Sequence, residues 1–164
     1  MAPFLAQQIT RSATISLPAP RDHVFPLFEP LGEKHWAHGW DPEMLYPSSG
    51  MAQEGAVFTT QHDGEPVKIW TIIAYEPEQA HVRYFNVLPG SHTTVVDVRC
   101  EGDKTHGEAK TSAQITYTLT ALTPAGNAHL DSFTPAHYQD YIASWETAIT
   151  HYLLHNQLSG VHAE

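Results

Sequence analysis

At 164 residues, with 41% hydrophobic residues and four Trp, seven Tyr and six Phe, the chain has ample material for one core, which excludes global disorder and favours a single domain, 1–164. Eighteen acids against eight Lys and Arg give a formal charge of −10, which argues against nucleic acid or an anionic membrane surface as partner. Twelve scattered histidines would raise that charge to +2 if all were protonated, so it moves strongly between about pH 7 and 5.

Cys100 is the only cysteine, so no intrachain disulfide is expected and a reducing cytoplasm fits. "MAPFLAQQITRS" shows no basic segment followed by an apolar stretch, so no signal peptide is expected. No run approaches the roughly 18 continuous apolar residues of a membrane span.

In chain order, "ITRSATISL" (9–17) alternates apolar Ile9, Ala13, Ile15 and Leu17 with polar neighbours, as a half-buried strand does. Pro20 then suits a helix start, and Val24, Leu27 and Phe28 form a short apolar stripe. Pro26 keeps that helix brief or bent, Pro30 and Gly32 break it, and Leu31 to Trp36 reads as a second short helix. Strands follow at Glu43–Tyr46, Ala56–Gln61, Val67–Tyr75, His81–Val87, Ser91–Glu101 and Glu108–Ala121. Their breaks are turn material, "HDGEP", "EPEQ", "LPG" and "EGDKTHG", and Asp63-Gly64 is the sharpest hairpin signal. Such short connections make neighbouring strands antiparallel. The last strand sets Ala113, Ile115, Tyr117 and Leu119 against Gln114, Thr116, Thr118 and Thr120 on the opposite face.

"TPAGNAHLDSF" (123–133) reads as loop. Thr134-Pro135 reads as cap and first position of a long helix to about Gln157, followed by a frayed tail. Tyr138, Tyr141, Ile142, Trp145, Ala148, Ile149, Tyr152 and Leu153 mark one face of that helix. The expected architecture is α+β: a curved antiparallel sheet of about seven strands, two short helices and one long C-terminal helix, ordered over about 9–157. Only the last helix is long enough to cover the sheet's apolar face.

The stretches "ISLPAPRDHVFPLF" (15–28), "GEKHWAHGWDP" (32–42) and "YQDYIASWETAITHYL" (138–153) resemble the START-like superfamily, also called SRPBCC or Bet v 1-like. The specific likeness is to its polyketide cyclase/dehydrase-like bacterial members. That resemblance implies the helix-grip fold and a deep, mostly apolar cavity between sheet and last helix. It does not fix function, because the superfamily includes lipid carriers, receptors, cyclases, oxygenase subunits and chaperone activators.

The residues themselves narrow the choice. Trp36 and Trp40 either plug the cleft beside the sheet or line a cavity mouth with flat apolar area and an N–H donor. His35 and His38 form an HxxH, but no third ligand is selected by spacing, and no metal or cofactor is expected. His62, His81, His92 or Asp97 could supply that third ligand, with no spacing that selects among them. His38, or a buried Glu33, suits general acid–base work. No GxSxG, P-loop or dinucleotide fingerprint is present, and one cysteine cannot serve a Rieske cluster. Tyr138, Tyr141, Trp145 and Tyr152 make an aromatic, polar-tipped helix stripe, which suits a cavity wall better than plain core. Trp70, Tyr84 and Tyr117 could complete it. Arg83, Asp97, Arg99 and Gln114 default to solvent, and Glu76 and Glu78 to turns.

The leading expectation is a small apolar or aromatic ligand held by Trp36, His38, Trp40, Trp70, Tyr84, Tyr117, Tyr138, Tyr141 and Trp145. The second is a cyclase/dehydratase-type enzyme acting on a polyketide-like or cyclic carbonyl substrate through His38 or Glu33. The third is a protein-interaction module, which predicts a large exposed apolar patch and no usable cavity. A homodimer is compatible with all three.

Overall fold

The computed structural model describes residues 3–103 and 109–162. Seven antiparallel strands form one sheet: β1 (Gln8–Leu17), β2 (Glu43–Tyr46), β3 (Val57–Thr60), β4 (Lys68–Glu76), β5 (His81–Leu88), β6 (His92–Asp103) and β7 (Lys110–Ala121). Their spatial order is β1-β7-β6-β5-β4-β3-β2, so β2 to β7 run as a meander and β1 closes onto β7. The expected strands appear with ends moved by one or two residues. The residues 104–108, part of the expected turn and strand start, lie outside the described residues.

Period-two alternation decides the faces. Ile15, Leu17, Phe58, Trp70, Ile72, Tyr84, Val96, Val98, Ala113, Ile115 and Leu119 are buried on the concave side. The convex side near β1 and β7 carries paired hydroxyls, with Ser12 Oγ 2.9 Å from Thr116 Oγ1 and Gln8 Nε2 donating to Thr120 Oγ1 at 2.9 Å. The β4–β5 register slips between Ile72 and Ala74, a bulge that bends the strand and helps curl the sheet.

The short helices are briefer than the sequence suggests. Arg21–Val24 (α1) passes directly into a 3₁₀ turn at Phe25–Phe28, where Pro26 forbids a regular helix, and a second 3₁₀ turn spans Gly32–His35. The segment expected as loop is largely helix α2, Pro124–Ser132. Thr123 caps it by accepting from the Gly126 N–H at 3.1 Å, and Pro124 occupies its first turn. The long helix α3 spans Pro135–His162, beyond the expected end. Thr134 Oγ1 caps it by accepting from the His137 N–H at 3.1 Å.

Helix α3 lies across the concave face against β1, burying Tyr138, Ile142, Ile149 and Leu153. No helix among the described residues is long and apolar enough to cross a membrane.

Candidate functional site

The run Gly32–Pro42 is held by its two indoles. Trp36 Nε1 donates to the Leu27 carbonyl at 2.8 Å, and Trp40 Nε1 donates to the Pro30 carbonyl at 2.7 Å. Each tryptophan thus pins the run back onto the preceding turn. Their N–H groups are used by the fold, and what remains for a ligand is the ring. Trp40 meets Trp70 edge to face at 5.4 Å and Phe58 at 6.0 Å; Trp36 leans on Trp145 at 5.4 Å.

Between these rings, the concave sheet, α2 and α3 lies a cavity of about 610 Å³, within the usual range for small-molecule sites. Glu33, Trp36, His38, Trp40, Trp70, Tyr84, Tyr117, Tyr141 and Trp145 all line it. All four tryptophans of the chain are therefore on its wall. Tyr138 is not among the lining residues: its hydroxyl donates to the Ile115 carbonyl at 2.5 Å and its ring supports Tyr117 at 5.5 Å. Tyr152 faces a separate groove, where His35 stacks on it at 5.1 Å. The HxxH pair is divided accordingly, His35 toward that groove and His38, solvent-exposed, on the cavity rim. Among the described residues no three His, Cys, Asp or Glu side chains converge to hold a metal ion.

Glu33 is the one acidic lining residue of the cavity among the described residues. Burial holds its carboxyl well above the ordinary carboxylate range. Its field reaches Tyr84, Tyr117 and Tyr141, whose phenols burial also raises. Tyr84 is spoken for, since its hydroxyl donates to the Phe28 carbonyl at 2.6 Å. Tyr117 and Tyr141 meet edge to face with ring centroids 6.1 Å apart, and Tyr141 is 40% exposed. The arrangement sets a carboxyl, its pKa raised by burial, beside phenols under an aromatic roof, with hydrogen-bonding and proton-transfer capacity. Cys100 is buried, its thiol pushed up to about 12.

Several lining residues escape the sequence reading as ligand contacts: Thr60, His62, Lys68, Asn86, His92, Thr94 and His129. Once Tyr84 and Val96 are placed inward, alternation brings Asn86, His92 and Thr94 to the same face. Asp97, expected to face solvent, is partly buried and partnered, but away from the cavity. Asp97 accepts from His81 Nε2 at 2.8 Å and Arg99 Nε at 3.2 Å, alternating with the cavity-lining Val96 and Val98 and so facing the convex side. Glu76 is more than a turn carboxylate, since its Oε1 meets His81 Nδ1 at 2.9 Å. Arg83 is exposed.

Solved structures share this arrangement of a seven-stranded sheet gripping one long helix. Norcoclaurine synthase from Thalictrum flavum superposes with a TM-score of 0.64 at 13% identity, over 91% of this chain and 88% of that one. Ara h 8.0201 gives 0.62 at 17% identity, over 90% and 99%. The chain has the START-like, Bet v 1-like helix-grip fold. A hypothetical protein of Helicobacter pylori with the same fold gives 0.63 at 12% identity, over 88% and 87%. Another structure of the norcoclaurine synthase is a complex with dopamine and hydroxybenzaldehyde. At these identities the likeness is one of fold. No family model matches the chain, and no curated protein matches it in sequence.

Proposed function

We infer that the protein binds a small, largely aromatic metabolite in the cavity between sheet and α3. The observation that carries this reading is the cavity itself, about 610 Å³ walled by all four tryptophans of the chain. Three of the four indole N–H groups, those of Trp36, Trp40 and Trp70, are already bonded within the fold, so this wall of flat rings favours a planar, aromatic occupant. A protein-interaction module would have no use for such a space. The single buried Cys100 fits a reducing, cytoplasmic setting.

The test is a titration with the neutral fluorophore N-phenyl-1-naphthylamine, following tryptophan emission. Saturable quenching at one equivalent, reversed by competing aromatic molecules, is expected. Linear, non-saturating quenching overturns the reading.

A second reading, cyclase/dehydratase-type catalysis on a carbonyl substrate, is favoured by Glu33. Burial strengthens the Glu33 carboxyl's hold on a proton, which suits an acid role, and the Tyr117 and Tyr141 hydroxyls can polarise a carbonyl oxygen. His38, exposed on the rim, is the weaker candidate for that task. Incubation with hydroxybenzaldehyde and dopamine tests it. Condensation that is lost in Glu33→Gln supports catalysis, and a rate equal to the protein-free control removes it for this substrate pair.

A further inference from the structure

The concave face is layered along the strands. Ile72, Tyr84, Val96 and Tyr117 lie side by side in one layer, and Trp70, Asn86, Thr94 and Leu119 in the next. Lys68, two residues before Trp70, and His92, paired with Ala121, make the third. At about 3.3 Å per residue, adjacent layers are roughly 7 Å apart. The chemistry changes across them. The first layer sits within the field of Glu33 and offers phenols, whereas the third offers an ammonium and an imidazole, with exposed His62 and His129 beyond them on the cavity lining.

Asn86 is the telling member of the middle layer. It is 2% exposed, it lines the cavity, and its Oδ1 has no hydrogen-bond partner. Buried amide oxygens in folded proteins are satisfied almost without exception, so this one is held for a donor that enters the cavity. One layer toward the mouth, Lys68 Nζ lies 5.7 Å from the Trp70 ring centroid. Burial lowers the lysine's pKa, with Glu65 of the β3–β4 loop acting in the opposite sense. A partly desolvated ammonium gains most from an anion brought to it.

Beside it His92 is 4% exposed, with Nδ1 2.7 Å from Ser91 Oγ and its ring stacked on His129 at 4.3 Å. Burial first, then His129 and Lys68, push it down to about 4, so at neutral pH it contributes a hydrogen bond and no charge. The one acidic lining residue among the described residues, Glu33, is held toward its neutral form. Among the described lining residues Lys68 is the one lysine or arginine, which favours an anionic group on the ligand at that end.

We propose that Lys68, His92 and Asn86 form a polar collar that selects a hydroxylated aromatic carboxylate, its carboxylate on Lys68 and His92 and its hydroxyl donating to Asn86 Oδ1. The proposal rests on the cavity-binding reading and adds the class and orientation of the ligand.

Binding is measured by displacement of N-phenyl-1-naphthylamine with three compounds: 4-hydroxybenzoate, its methyl ester, and benzoate. The expected order puts 4-hydroxybenzoate about tenfold ahead of each of the others, a difference of about 1.4 kcal/mol. Lys68→Met erases the preference for acid over ester, and Asn86→Ala erases the preference for 4-hydroxybenzoate over benzoate. Lys68 is only half-buried, so its variant serves even where Asn86→Ala does not fold. Equal binding of acid and ester by the wild type, or an undiminished preference in Lys68→Met, overturns the collar while fluorophore binding leaves the cavity reading standing. Failure of the fluorophore to bind overturns both.

Discussion

Trp36 and Trp145 approach to 5.4 Å between ring centroids at 60°, so the turn after α1 and the long helix meet directly over the cavity. Trp36 serves this contact with its ring and the Leu27 carbonyl with its N–H. The two roles separate by substitution. Trp36→Phe keeps most of the ring and loses the hydrogen bond, at a cost of about 1 kcal/mol. Trp36→Ala also removes the roof, at a cost of about 3 kcal/mol, and weakens aromatic ligands. Urea unfolding at unchanged m-value checks the two figures, and fluorophore titration checks the loss of aromatic affinity.

Two glycines of the same run are needed for different reasons. At Gly32 an added Cβ would stand 1.8 Å from the Pro26 carbonyl oxygen, so the chain must move. At Gly39 nothing lies within 4 Å, but φ is +78°, a conformation that L side chains adopt only under strain. Gly39→Ala is expected to cost about 1 kcal/mol with ligand binding retained. Gly32→Ala is expected to cost more and to displace both indoles, lowering aromatic affinity as well. Thermal unfolding paired with the fluorophore titration distinguishes the two.

The strands were legible because period-two alternation is strong where one face is buried, as in Ala113, Ile115, Tyr117 and Leu119. Helix α2 was not, although Thr123-Pro124 carries the same cap signal as Thr134-Pro135. Gly126 and Asn127 read as loop residues, yet Gly126 is there for close approach: a Cβ would fall 1.9 Å from the Ser91 carbonyl oxygen. The aromatic part of the cavity wall was legible from residue type, since large rings in strands and on the last helix had to face the core. Lys68, Asn86, His92 and Thr94 were not. Polar side chains on an inward face contradict the binary pattern, and only a cavity gives them a place. Tyr138 shows the converse, an inward aromatic whose hydroxyl is consumed by backbone.

Glu33 makes stability depend on alkalinity. Its folded-state carboxyl binds its proton more tightly than the unfolded one, whose value is near 4.5. Its contribution is therefore fully present below that value and is lost as pH rises through the raised folded value. Glu33→Gln removes the penalty. The variant is expected to match the wild type near pH 4 and to melt higher at pH 8, by about 3 °C for each kcal/mol relieved. Paired melting curves across that range check this, and identical wild-type and variant profiles count against burial of the carboxyl.

His92 gives the opposite slope on the acid side. Its folded value of about 4 lies below the ordinary 6.5, because burial, the stacked His129 of α2 and Lys68 of β4 all oppose a second positive charge there. Stability from the neutral ring is fully present above about pH 6.5 and drains away as pH falls toward 4, each pH unit between the two values being worth about 1.4 kcal/mol. His129, exposed and also lowered, adds less because solvent screens it. His92→Gln is expected to flatten the profile of unfolding free energy between pH 6.5 and 4. Because His92 stands in the mouth layer with Lys68, the wild type should also bind 4-hydroxybenzoate more tightly near pH 5 than near pH 7. A carboxylate bound there favours the imidazolium, and ligand protection of the folded state should grow over the same interval in which the free protein weakens. Unfolding curves with and without 4-hydroxybenzoate at the two pH values measure both effects, and parallel curves would separate His92 from the ligand.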